Sequence, residues 1–214
     1  MRKYLKLSEL ETLIHVSKRL RDRLIIRLLY ETGMRVGELT ALKIGDIDFE
    51  LGEISIQHAK RHAEGRKVPL VNELTLAMLN EYIRERMNDK QDPVFVSNMH
   101  GALSRRGVEH MITKRGMSAG LERELCHPHI LRHTHAVYAL KAGIDLRTLQ
   151  LNLGHADIAT TVIYLGMDIN DRKEIYSRHP LPLMEGHQAR KPETSLDLEK
   201  ESTPIDLYEA GFTI

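Results

Sequence analysis

The strongest constraint on this chain's fold is a histidine-rich segment that must form one helix and stay close to the next motif along the chain. His129-Ile-Leu-Arg-His133 starts directly after Pro128, and a proline suits a first helical turn because its missing N–H is not needed there. That helix is expected to run to Ala142, before Gly143. One short helical unit later comes Leu153-Gly-His-Ala-Asp-Ile-Ala-Thr-Thr-Val-Ile-Tyr164. Together the two stretches bring the imidazoles of His129 and His155, a guanidinium and a phenol into about 36 residues. About a hundred residues upstream, Thr32-Gly-Met-Arg-Val-Gly-Glu-Leu39 supplies a second arginine, Arg35. Arg35 therefore has to arrive from a distant helix.

The rest of the chain predicts a mainly helical fold with a small antiparallel sheet, an α+β architecture. Ser8 is the expected N-cap of a first helix, with Glu11 completing a capping box and Leu10, Leu13, Ile14 and Val16 on the stripe. Asp22 begins a second helical stripe through Leu24, Ile25, Leu28 and Leu29, and Gly33 can close that helix in the left-handed conformation. Arg35 then sits at the start of the next short helix. Residues 53–58 alternate like a strand, 66–70 read as its partner, and Ala59–Gly65 form a charged turn between them. Asn72 caps a helix with Leu76, Leu79, Ile83 and Met87 on one face. Another helix runs from Ser104 to near Gly120 with Val108, Met111 and Ile112 inward. Asp145 and Asp157 begin two further short helices, the second leading to Tyr164.

Charge and composition set limits on partners. The formal net charge is +1 over 214 residues. The stretch from His187 onward holds three Lys/Arg against six acids, which leaves 28 basic and 24 acidic residues in the body. A mildly basic body permits DNA binding, and it is equally what solubility requires. No apolar run approaches a membrane span, and Met1-Arg2-Lys3-Tyr4 does not open a signal peptide. The single cysteine, Cys126, excludes an intramolecular disulfide, fits a reducing cytoplasm, and reads as a packed thiol. Residues 186–204 are polar with Pro192 and Pro204, a linker composition, and Ile205–Ile214 turn apolar again. That ending reads equally as a frayed terminus or as a segment docking into a neighbouring subunit.

The three motifs share a chemical logic. A phosphodiester repels nucleophiles, and its pentacovalent transition state gathers further negative charge, so fixed cations must meet the non-bridging oxygens and a proton must reach the leaving oxygen. Arginine binds two phosphate oxygens and stays charged at any working pH. His129 and Arg132 lie three apart on one helix and so share a face. With Thr-Gly-x-Arg-x-x-Glu-Leu, His-x-Leu-Arg-His, and Leu-Gly-His followed eight residues later by Tyr in this order, the chain resembles the tyrosine recombinase family, the phage-type DNA integrases, over roughly Leu7 to Gly166.

The resemblance implies roles by position. Arg35 and Arg132 look like the phosphate clamp, and Tyr164 like the nucleophile that forms a 3′-phosphotyrosyl link. His129 looks like an acid–base group near Tyr164, and His155 like the donor to a non-bridging oxygen. The family's lysine, which protonates the leaving 5′ oxygen, sits in the turn or strand of the small sheet; Lys60 is the first choice and Lys67 the second. The chemistry implied needs no metal and no ATP. It acts on double-stranded DNA in a homotetramer, with no membrane and no small-molecule cofactor. Residues 1–180 are expected to form the catalytic domain and 181–214 an acidic tail. The helical N-terminal domain that usually closes around DNA is expected to be absent, so binding should be weak and salt-sensitive.

Ordinary readings of the same residues stand beside these. Arg35 can pair with Glu38 or Glu31, His133 can be a packed histidine, and Glu38 can orient Arg35. Arg105, Arg106, Lys114 and Arg115 put basic side chains on one helix, either on phosphates or in solvent. His129 and His133 at i, i+4 suggest zinc, but no cysteine pair or His-Glu-x-x-His accompanies them, and Arg132 between them repels a cation. A type IB topoisomerase and a non-catalytic DNA-binding regulator remain alternatives on the same fold.

Overall fold

The computed structural model describes residues 4–57, 65–85, 92–97 and 101–154. Over these the architecture is mainly helical with one three-stranded antiparallel sheet, as the sequence predicts. The first helix, α1, covers Leu7–Val16 and buries Leu10 and Leu13. Its N-cap is Lys6 and not Ser8: Glu9 reaches back and accepts the Lys6 N–H at 2.7 Å, which satisfies one of the helix's orphan donors. Ser8 lies inside the first turn.

Helix α2, Leu20–Thr32, is the central element, packed against helices on several sides. Leu24, Ile25, Ile26, Leu28 and Leu29 are all buried, and each such side chain contributes about 1.5–3 kcal/mol relative to exposure. Gly33 ends the helix with φ of 65°, the left-handed cap expected. A Cβ there would also lie 2.6 Å from the His135 ring, so glycine is required by packing as well as by dihedral. The short α3, Val36–Ala41, comes next, with Arg35 as its N-cap.

The sheet runs β1 (Ile47–Asp48), β2 (Glu53–Ile56) and β3 (Arg66–Pro69), in that order and antiparallel. Register places Ile54 opposite Val68 and Ile56 opposite Arg66. Ile54, Ile56 and Val68 turn into the core. The two longer strands match the sequence pattern; β1 is an addition, too short at two residues to alternate visibly. Asn72 caps α4, Glu73–Arg84, by accepting the Thr75 N–H at 3.1 Å. Ser104 does the same for α5, Arg105–Ser118, through the Gly107 N–H. In α5, Val108, Met111 and Ile112 face inward as expected.

Helix α6, Pro128–Lys141, packs along α2 and carries the histidine motif. Helix α7, Leu146–Leu153, is capped at one end by Asp145, whose carboxylate accepts from the N–H groups of Arg147 and Thr148. At the other end Gly154 adopts φ of 63°. Cys126 is buried, and burial raises its thiol pKa, followed by the charge of Glu124, as suits a packed thiol. Among the described residues no helix is long and apolar enough to cross a membrane. The charged turn with Lys60, Met87, the helix expected after Asp157, and the tail 181–214 lie outside the described residues.

Candidate active site

Three of the six residues singled out from sequence meet on one cleft of about 620 Å³. Arg35, His129 and Arg132 line it together with Glu38, Gln57 and Arg105. Each arrives from a different part of the chain: Arg35 from the α2–α3 junction, His129 and Arg132 from α6, Gln57 from the end of β2, and Arg105 from the start of α5. The other three, Lys60, His155 and Tyr164, lie outside the described residues. The described chain nevertheless leads to them. Gln57 is three residues before Lys60, and Gly154 immediately precedes His155.

Arg132 is the most constrained of the set. It is 1% exposed, among the bulkiest of the fully buried side chains. Its Nη1 donates to the carbonyl of Gly33 at 2.6 Å, and its Nη2 to the carbonyl of Leu153 at 2.8 Å. Both acceptors belong to helix C-termini, those of α2 and α7, where carbonyls lack intrahelical partners and the helix dipole is negative. A buried cation is tolerated because two such ends face it.

Arg35 is held differently. Its backbone N–H donates to Glu38 Oε2 at 2.7 Å, its Nη1 to Glu38 Oε1 at 3.1 Å, and its Nη2 to the Gly154 carbonyl at 3.3 Å. The side chain remains 43% exposed, open to the cleft. Glu38 also receives both Nη groups of Arg66, at 2.9 and 2.8 Å. Burial alone would raise the Glu38 pKa. The Arg66 hydrogen bonds, the Arg35 N–H and the two cationic charges outweigh it and bring the carboxyl to about 2. Glu38 is therefore ionised at any working pH, and Arg35 is oriented as a surface pair would be while still facing the cleft.

His129 has its pKa lowered, first by partial burial and then by the charges of Arg132, His127 and Arg35. It is thus neutral near pH 7 and can accept a proton. Its ring packs edge-on against His133, with centroids 4.6 Å apart. Among the described residues no three His, Cys, Asp or Glu side chains gather as a metal-holding group.

Behind the cleft, His135 supports the same helix ends. Its Nδ1 lies 2.8 Å from the Tyr30 carbonyl, and its Nε2 lies 3.2 Å from the amide nitrogen of Asn152. A neutral ring protonated on Nδ1 satisfies both, donating to Tyr30 and accepting from Asn152. Burial is the first cause that lowers its pKa, to about 4.

Two of the four basic residues of α5 have distinct uses, while Arg106 and Lys114 are exposed. Arg105 reaches the cleft and packs over Gly37: a Cβ on that glycine would lie 2.6 Å from the guanidinium carbon. Arg115 instead pairs with the buried Asp22 at 2.9 Å while staying part-exposed, so its guanidinium is tied into the fold. Lys67 pairs with Glu53 at 2.8 Å and lines a second cleft, of about 650 Å³, together with His135 and Tyr138. Arg66 was not singled out from sequence. The signal was present: it shares a strand face with the buried Val68, and a cation at an inward strand position calls for a partner.

The phage integrase family model matches residues 3–170. The chain belongs to the phage integrase family. Tyrosine recombinase XerA of Pyrococcus furiosus is 38% identical over 176 residues, 80% of this chain and 59% of that protein. Tyrosine recombinase XerC of Xylella fastidiosa is 36% identical over 162 residues, 75% of this chain and 54% of that one. The crystal structure of XerA recombinase superposes with a TM-score of 0.74 at 35% identity, covering 85% of this chain and 66% of that chain. The XerH site-specific recombinase in a post-cleavage complex with its palindromic difH substrate gives 0.67 at 30% identity, covering 81% and 52%. This family member thus spans little more than half the length of the curated relatives it matches.

Proposed function

We propose that this integrase-family chain is a site-specific DNA recombinase that breaks and rejoins strands through a 3′-phosphotyrosyl intermediate. The observation that carries the reading is the convergence of Arg35, Arg132 and a neutral His129 on one cleft. Two guanidiniums there can take the non-bridging oxygens of a phosphodiester, and both are fixed before substrate arrives, which is what stabilises developing charge. The Tyr164 hydroxyl attacks phosphorus and its proton passes to His129. The P–O5′ bond breaks, Lys60 protonates the leaving oxygen, and His155 donates to a non-bridging oxygen. A 5′ hydroxyl from a partner duplex then reverses the step and leaves the backbone joined in a new order. The ester energy is conserved in the phosphotyrosine, so the exchange needs neither metal nor ATP.

Lys60 is preferred to Lys67 because Gln57, on the same side of the turn, already lines the arginine cleft. Lys67 points to the other cleft and is engaged by Glu53. Double-stranded DNA is the substrate, with Arg105 a backbone-phosphate contact at the rim. A homotetramer on DNA, a cytoplasmic setting, and a division into a catalytic region at 1–180 and a tail at 181–214 complete the reading.

The test uses nicked suicide DNA substrates drawn from the sequence flanking the gene, with the protein and its Tyr164→Phe variant resolved on denaturing gels. A covalent protein–DNA band that disappears in the variant is the expected result. A band that persists in the variant overturns the choice of nucleophile, and the absence of any band despite intact DNA binding favours a regulator. Plasmid relaxation without exchange between duplexes would instead favour topoisomerase chemistry.

A further inference from the structure

The carbonyls of the last two residues of α7 and of its C-cap each accept a hydrogen bond from a different arginine. Asn152 O takes Nε of Arg66 at 2.8 Å, Leu153 O takes Nη2 of Arg132 at 2.8 Å, and Gly154 O takes Nη2 of Arg35 at 3.3 Å. The three come from β3, α6 and the N-cap of α3. Carbonyls at a helix C-terminus lack internal partners and carry partial negative charge, so one cation there is ordinary. Three on successive carbonyls fix the height, rotation and direction of the helix end together.

Two of these arginines open on the catalytic cleft, while the third lines the opposite cleft. Arg66 is 10% exposed at its side chain, and all three of its nitrogens are engaged. Its Nε holds α7, and its Nη1 and Nη2 hold both oxygens of Glu38 at 2.9 and 2.8 Å. Glu38 in turn holds Arg35 by side chain and backbone. Gly154 lets the guanidinium lie flush on the helix end, since a Cβ there would be 2.9 Å from Arg66 Nη1. Arg66 thus joins the carboxylate that orients Arg35 directly to the point where the chain leaves α7 for His155 and Tyr164.

We propose that Arg66 is a positioning residue that locks Arg35 and the C-terminal end of α7 into one frame, and so sets the phosphate clamp and the nucleophile-bearing segment relative to each other. The catalytic half of this statement rests on the recombinase reading, whereas the mechanical half does not. A planar fork with three engaged nitrogens performs both tasks, and a lysine can perform only the charge pairing.

The full chain, its Arg66→Ala variant and its Arg66→Lys variant are compared by two readouts. The first is amide hydrogen exchange. Arg66→Ala is expected to speed exchange in α3 and at the end of α7 by about tenfold or more, leaving α1 and α5 unchanged. The second is single-turnover cleavage of nicked DNA, with noncovalent affinity measured separately in a Tyr164→Phe background. Arg66→Ala is expected to slow cleavage by roughly a hundredfold while DNA affinity stays within about twofold, with Arg66→Lys falling between the alanine variant and wild type. Unchanged exchange at both elements overturns the proposal. Loosened exchange with normal cleavage reduces Arg66 to a brace and overturns the positioning role. A parallel loss of affinity and rate does the same. If Arg66→Ala fails to fold, Arg66→Lys decides by the same readouts. If the wild type forms no covalent product, the recombinase reading fails, and exchange alone decides the mechanical tie.

Discussion

Asp22 and Glu38 are each clasped between two arginines, yet one cluster is closed and the other open. Asp22 is 2% exposed at its side chain; Arg21 takes Oδ1 at 3.2 and 3.0 Å, and Arg115 takes Oδ2 at 3.3 and 2.9 Å. Arg21 donates further to the Val96 carbonyl at 3.0 Å, so this cluster's charge is turned inward to join α2, α5 and the 92–97 segment. At Glu38 the carboxylate is equally saturated, but Arg35 leaves its outer face on the cleft. The same ratio of one acid to two bases thus makes a closed cross-link in one place and leaves an exposed guanidinium on a cleft in the other. What differs is where the surplus positive charge ends.

Substituting each carboxylate should separate the two roles. Asp22→Asn leaves two guanidiniums facing an uncharged amide in a buried position. Breaking a buried pair costs about 3–5 kcal/mol, and the lower end applies because both arginines reach solvent. Denaturant melts should show that loss, and the protein still folded should cleave DNA at the wild-type rate. Glu38→Gln should lower stability less while slowing cleavage by on the order of a hundredfold, since Arg35 loses its orientation. A slow Asp22→Asn enzyme, or a fast Glu38→Gln one, would erase the distinction between the clusters.

The open cluster has a brace behind it whose strength depends on pH. His135 titrates near 4 in the fold against an ordinary value of 6.5, so folding favours its neutral form. Its contribution is complete above about pH 6.5 and is lost as pH falls from there toward 4. Glu38, held down to about 2, contributes above its ordinary 4.5 and loses that only below it. The window from 6.5 to 4.5 therefore belongs to histidines and not to Glu38: His135 is lowered to about 4, and His127 and His129 are lowered in the same direction. Wild-type stability should drop by about 1–2 kcal/mol between about pH 7 and pH 5, and His135→Gln should flatten that slope. An equally steep slope in the variant would assign the acid sensitivity elsewhere.

What was legible in sequence was mostly what is local. Gly33, Asn72, Ser104, Pro128 and Asp145 each mark a helix boundary through their own dihedral or side-chain oxygen, and the structure has each at its expected end. Ser8 misled because Glu9, with a longer reach, satisfies an N–H ahead of it at Lys6. The placement of Arg35 and Arg132 on one cleft was readable only through the family resemblance of their motifs, since nothing local joins residues this far apart. Arg66 and Arg115 were not legible as partners of Glu38 and Asp22. Those pairs close over 28 and 93 residues, and a long-range ion pair leaves no periodicity behind. The Arg35–Glu38 pair is the ordinary structural reading realised, and it leaves the same guanidinium exposed on the cleft.

The smallest effect expected is at Lys67, and it sharpens the boundary of the open cluster. Lys67 follows Arg66 in β3 but points to the other side of the sheet, where Glu53 holds its ammonium at 2.8 Å in solvent. Its pKa is raised, first by that hydrogen bond and then by the charge of Glu53, which makes it a poorer proton donor. An exposed cross-strand pair of this kind adds little to stability, because water screens it and both chains lose rotamer freedom. Lys67→Ala should therefore leave cleavage and melting nearly unchanged, while Lys60→Ala should slow cleavage of an ordinary 5′-oxygen substrate. A substrate with a 5′-bridging sulfur, whose leaving group needs no proton, should restore the Lys60→Ala rate. If Lys67→Ala is the slower enzyme and sulfur rescues it, the leaving-group acid lies on β3, and the cleft that Gln57 borders has been assigned the wrong lysine.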